Sequence, residues 1–223
     1  MYNSLTRIQN TFGFFTTVAF VVAAFIAVSD LLAPRAPDAG IFQKTSAQVV
    51  KGRPHYYSSK KEEYAIIRFN LDADLRSLFT WNTKQVFVYV TAEWPGPNNS
   101  TNEAVIWDKI ITNPSADHLQ NIGPVAMKKL KRSAEGKSID PERQVSLHPQ
   151  KPKYQITHPS GKVAEIDDVK LKLHYNVQPW VGFLTWDQSR DIGHWRALKW
   201  GESPKFQLPA LKPKKKDGHK KSY

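Results

Sequence analysis

The sequence predicts a mainly β protein, in which a single N-terminal transmembrane helix precedes an antiparallel β-sandwich-like domain. Two observations predict it. Thr11 to Ser29 is free of charge and long enough to cross a bilayer. Several later segments alternate apolar and polar residues with the two-residue period of strands. The length, 223 residues, leaves room for one ordinary domain beside such an anchor.

The helix is placed at 12–32, after a short N-terminus at 1–11. As a helix, Thr11 to Ser29 would be about 28 Å long, close to the thickness of a bilayer core. Arg7 and Asp30 bracket it. A helix apolar on all faces needs a large core around it, which a domain of this size can hardly supply. A cleaved secretory signal competes, because Ala27 and Ser29 are small residues at cleavage spacing, but the apolar run exceeds a typical signal core. The segment is therefore read as a retained signal-anchor. Lysine and arginine counts around it do not decide its orientation. Asn98 and Asn99 begin two overlapping N-x-S/T acceptors in a proline- and glycine-rich loop, and such acceptors are used only in the lumen. The N-terminus is accordingly expected in the cytosol and the rest of the chain in the lumen.

Residues 33–63, broken by Pro34, Pro37, Gly40, Gly52 and Pro54, read as a lumenal stem with a possible strand at Gln48 to Val50. The ordered domain is expected over 64–209. Tyr64 to Leu71 sets Ile67, Phe69 and Leu71 on one face and Arg68 and Asn70 on the other. Asp72 to Phe79 reads as a helical turn or loop. Val86 to Glu93 is apolar on both faces, which suits a central strand packed on both sides, or with one face covered by a partner. Ala104 to Ile111 is its expected neighbour. Val169, Leu171, Leu173, Tyr175 and Val177 alternate with Lys170, Lys172, His174 and Asn176, and Pro179 ends that strand. Short strands near Tyr154 to Thr157, Val181 to Trp186 and Lys205 to Leu208 complete the domain. Residues 127–153 read as a basic loop insertion and 210–223 as a basic tail.

The formal net charge of +12 raises the question of nucleic acid, but the lysine clusters lie in loop and tail and lack interleaved aromatic rings, so no nucleic acid partner is expected. Without cysteine, neither a disulfide framework nor a thiolate site is available. G-x-S-x-G, H-E-x-x-H, Walker and G-x-G-x-x-G motifs are all lacking, and the seven histidines show no ligand spacing. No catalytic residue, metal site or cofactor is expected. His158 and Ser160 stand close together, but in what reads as a turn, and Asp72 and Asp74 read as turn caps. The tryptophans are expected mostly in core or rim, with Trp180, Trp186, Val181, Phe183 and Leu184 alternatively touching the bilayer interface or a partner.

Three stretches, FNLDADLRSLFTWNTKQVFVYVTAEW (Phe69 to Trp94), NEAVIWDKII (Asn102 to Ile111) and LKLHYNVQPWVG (Leu171 to Gly182), with the short anchored N-terminus and the KSY ending, resemble subunit 3 of the eukaryotic signal peptidase complex, of the fungal type. The resemblance covers nearly the whole chain. It implies a non-catalytic subunit of the endoplasmic reticulum membrane, single-pass type II with a lumenal C-terminal domain, in a hetero-oligomer with the catalytic subunit and other membrane subunits. Its role would be support of signal-peptide removal from nascent secretory and membrane proteins. The catalytic family has a serine followed by methionine, whereas Met127 here follows Ala126. Val86, Val88, Val90, Trp180, Phe183 and Trp186 are the candidate partner contacts. The rival readings are a membrane-tethered lumenal hydrolase or sugar-handling ectodomain, and a basic membrane-surface or nucleic-acid binder whose affinity would fall steeply with salt.

Overall fold

The computed structural model describes residues 3–54, 56–97, 100–113, 144–150, 153–191, 194–197 and 201–211. Helix α1 runs from Ser4 to Leu32 and, among the described residues, nine strands follow, so the fold is mainly β behind an apolar N-terminal helix. The helix begins in the polar segment before the apolar run, since Leu5, Thr6, Arg7 and Ile8 include nothing that breaks a helix. It ends where Pro34 forbids continuation. Phe14, Phe20 and Phe25 are each more than 70% exposed, and only Asp30 is buried, so the helix stands clear of the domain core. A core helix of a soluble protein would have the opposite pattern.

Strand β1 spans Asp38–Gly52 and pairs antiparallel with β2, Glu62–Asp74. The expected stem therefore holds a fifteen-residue strand. Register shifts between Asp38 and Ile41 and between Lys44 and Ser46 break its alternation, which is why its period is hidden in the sequence. Strand β5, Gln144–Gln150, completes this sheet on the other side of β2, in the order β1-β2-β5. It falls within the stretch expected to be an insertion loop.

The second sheet has the order β4-β3-β6-β7, with β3 at Thr83–Pro95, β4 at Thr101–Thr112, β6 at Lys170–Pro179 and β7 at Thr185–Trp186. A 3-10 turn, Arg76–Leu78, links the sheets, and Asp74 caps it by accepting from the Arg76 backbone N–H at 2.9 Å. A hairpin of β8, Gln188–Asp191, and β9, His194–Ala197, lies beyond β7. Near Tyr154 to Thr157 and Lys205 to Leu208, the expected strands are isolated bridges, Ala65 to Ile156 and Val169 to Phe206.

Both sheets contribute their inner faces to one core. Ile67, Phe69 and Leu71 of β2 and Val86, Val88 and Val90 of β3 are fully buried, with Leu171, Leu173, Tyr175 and Val177 of β6 beside them. Phe69 bridges the sheets by an edge-on contact with Trp107, at 6.3 Å between ring centroids. A bulge between Val90 and Thr91 lets Ile106 and Trp107, adjacent on β4, both turn inward.

Candidate functional site

The outward face of the second sheet is built by the residues that alternate with its core. On β3 these are Phe87 and Tyr89, paired across the ladder with Ile110 and Asp108 of β4 and with Asn176 and His174 of β6. Phe87 stacks on Tyr89 at 5.5 Å, Tyr89 on His174 at 4.9 Å, and Trp186 of β7 meets Tyr89 edge-on at 6.4 Å. Ile110 and Trp186 are half exposed.

A polar network holds this aromatic row. His174 bonds Asp187 through Nδ1 at 2.6 Å and Thr91 through Nε2 at 3.1 Å, with Glu103 3.6 Å away. Asp187 also accepts from the Tyr175 backbone N–H at 2.8 Å, which ties the turn after β7 to β6. Burial, and then the charges of Asp187 and Glu103, push the Tyr89 hydroxyl above its usual range. Further along, Glu93 pairs with Lys170 at 2.9 Å and Lys172 at 3.6 Å. Burial alone would raise the Glu93 carboxyl, but the two lysines outweigh it and hold it low. The same bond to Glu93 raises Lys170.

Glu93, Glu103 and His174 have ligand atoms within 4.8 Å of one another, a spacing a metal ion could use. Glu93 already faces Lys170 and Lys172, and His174 is hydrogen-bonded to Asp187, so the arrangement is a paired polar network rather than an open cage. His158 and Ser160 do meet, at 2.6 Å, but in an exposed turn where Ser160 also bonds the ring through its own backbone N–H.

A second feature fixes the sheet against the helix. Arg35, 1% exposed, donates from Nη2 to Asp30 at 2.7 Å and from Nη1 to Thr185 at 3.3 Å. Asp30 sits at the negative end of the helix dipole, where a carboxylate is unfavourable without such a counter-charge. The loop after β6 approaches the helix closely: a Cβ on Gly182 would lie 3.7 Å from the Ala27 backbone.

The sequence-predicted contacts divide three ways. Val86, Val88 and Val90 point into the core with no exposed surface, so they are not available to a partner; the strand's outward face belongs to Phe87 and Tyr89. Trp186 lies on that outward face, whereas Trp180 and Phe183, 41% and 69% exposed, lie in the loop at the end of the sheet. Asn98 and Asn99 lie outside the described residues. Phe87, Tyr89 and Asp187 were not among the sequence-predicted contacts, although in VFVYV the valines at 86, 88 and 90 and the rings at 87 and 89 distinguish the two faces.

A family model described as signal peptidase subunit matches residues 1–128 and 137–196. The break lies inside the basic stretch, and the match resumes ahead of β5, so most of the 127–153 region belongs to the matched pattern. The chain is 30% identical to signal peptidase complex subunit 3 of Debaryomyces hansenii over 93% of its own length and all of that protein. It is 32% identical to the subunit 3 of Saccharomyces cerevisiae over 85% of this chain and 92% of that one. For Yarrowia lipolytica the identity is 30% over 82% and 89%.

Proposed function

Because the chain belongs to the signal peptidase subunit family and is a subunit of the signal peptidase complex, we propose that it supports the catalytic subunit without performing chemistry itself. Its helix spans the endoplasmic reticulum membrane with the N-terminus cytosolic, and its β domain stands in the lumen. There it holds the catalytic subunit in register near the membrane, so that signal peptides are removed from nascent secretory and membrane proteins.

The observation that carries this reading is the outward face of β3, β6 and β7. A row of half-buried rings, Phe87, Tyr89 and Trp186, rimmed by Glu103, Asp108 and Asp187, has the composition of an interface core with a polar border. Rings at the centre and charges at the border suit contact rather than turnover.

The test replaces Phe87 and Tyr89 together by aspartate in the full chain and follows co-purification of the catalytic subunit and cleavage of a secretory precursor. Both should fall sharply while the variant's own thermal unfolding stays within a few degrees of the parent. Intact co-purification from a folded variant would assign the contact elsewhere. A photoreactive residue at position 186 gives an independent reading, and should crosslink to the catalytic subunit.

A further inference from the structure

We infer that the end of the β domain nearest α1, formed by the turn Thr80 to Asn82 and the loop Trp180 to Leu184, is seated in the interfacial layer of the bilayer. This rests on the reading that α1 spans a membrane.

Chain direction identifies that end. Strand β1 starts three residues after Arg35, which is bonded to the last turn of the helix. Strand β2 returns toward it, the 3-10 turn and Trp81 follow, β3 leaves it, and β6 comes back to end at Pro179. The turns after β1 and β3 lie at the opposite end.

Two short segments protrude at the near end, and they are locked to each other. Asn82, 1% exposed, donates from Nδ2 to the Val181 carbonyl at 2.7 Å and accepts from the Val181 N–H at 3.2 Å. Its own carbonyl accepts from the Trp180 N–H at 2.8 Å. On this clamp stand four large apolar side chains with much of their surface uncovered: Trp81 at 69%, Trp180 at 41%, Phe183 at 69% and Leu184 at 57%. Such a group, left in water, is the kind of patch that marks a contact surface.

The helix sets the depth. Gly182, immediately before Phe183, lies beside Ala27, so that a Cβ added to it would stand 3.7 Å from the Ala27 Cα. With a rise of about 1.5 Å per residue, Ala27 lies roughly 4.5 Å further into the apolar span than Asp30. Phe183 and Leu184 therefore reach below the level where the charge-free run ends, while Trp81 and Trp180 sit on the same clamp beside them. Neither FTWNTK, Phe79 to Lys84, nor PWVGFLTW, Pro179 to Trp186, contains an acidic residue. Their one charge is Lys84, whose ammonium lies 5.3 Å above the Trp180 ring. Tryptophan and lysine together, with aliphatic and phenyl groups deeper, are the chemistry of the headgroup boundary. A lipid surface is favoured over a protein partner because the patch is continuous with the membrane-facing helix of the same chain.

Single cysteines can be introduced cleanly, since the sequence has none. The full chain with Phe183→Cys, labelled with an environment-sensitive fluorophore, is reconstituted into phosphatidylcholine vesicles with or without a nitroxide near the top of the acyl chain. It is measured alone and assembled with the other subunits. Val28→Cys reports on the helix and Tyr57→Cys on the far end. Leu184→Cys and Trp81→Cys give further readings should Phe183→Cys fail to fold. The label at position 183 should lose a large part of its emission to the nitroxide lipid, comparable with the loss at 28, and the label at 57 none. Quenching at 28 without quenching at 183, 184 or 81 overturns the inference and leaves the spanning helix intact. No quenching at 28 overturns both. Quenching at 183 that disappears on assembly means that protein covers the patch, and overturns it as well.

Discussion

Arg35 is the largest fully buried side chain among the described residues, and one of its nitrogens, Nε, has no hydrogen-bond partner. Its stability rests on Asp30 and Thr185. Arg35→Met removes the counter-charge of a carboxylate that is itself 3% exposed, and should cost about 3 kcal/mol or more. The double variant Asp30→Asn with Arg35→Met should recover much of that loss, because no unbalanced charge is left buried. Thermal unfolding of the full chain in detergent checks both. At Glu63 the effect depends on pH. The carboxylate accepts from the backbone N–H groups of Ala164 at 3.0 Å and Val163 at 2.9 Å, and these bonds hold its pKa below the ordinary 4.5. A depressed folded pKa stabilises the protein above the unfolded value, and that stabilisation is lost as pH falls from 4.5 through the folded value. Glu63→Gln should therefore lower stability near neutrality by about 1 kcal/mol and flatten its decline in acid, as read by melting curves across that range.

Strands β2 and β6 were legible in the sequence because their apolar residues recur with a period of two, and β3 because it is a continuous apolar run, each lying against the shared core. β1 was hidden by its two register shifts, and β5 by the basic stretch in which it lies, although pairing with β2 needs only backbone groups. For β3, apolar residues on both faces did signal a central strand. Which of its faces is buried was not legible, because two alternating apolar sets look alike until the second sheet covers one. One element depends on a single residue. The segment after residue 201 runs beside β6, with the Gly201 carbonyl accepting from the Leu173 N–H at 3.0 Å. Gly201 has φ +69°, and an added Cβ would stand 2.8 Å from the Leu173 Cβ. Gly201→Ala should destabilise by about 2 kcal/mol, visible as a lower melting temperature.

At the scale of the whole molecule, helix and domain share structure, since Asp30 on one and Thr185 on the other meet through Arg35. A chain lacking residues 1–32 retains the buried guanidinium without its carboxylate. Such a fragment should unfold at lower temperature than the domain in the full chain, and Arg35→Met in the fragment should raise its melting temperature. The helix, strands β2, β3, β4 and β6 and the family were readable from residues 1–223 alone. The latch was not, because Asp30 and Thr185 are far apart in sequence and neither belongs to a motif.

Only Ala33 to Pro37 separates the end of α1 from the start of β1, and two of those residues are proline while a third, Arg35, is bolted inward. The domain has no slack on which to swing. Any lean that the helix adopts to match a thinner or thicker bilayer is carried straight into the sheets, which turn with it as the long arm of a lever.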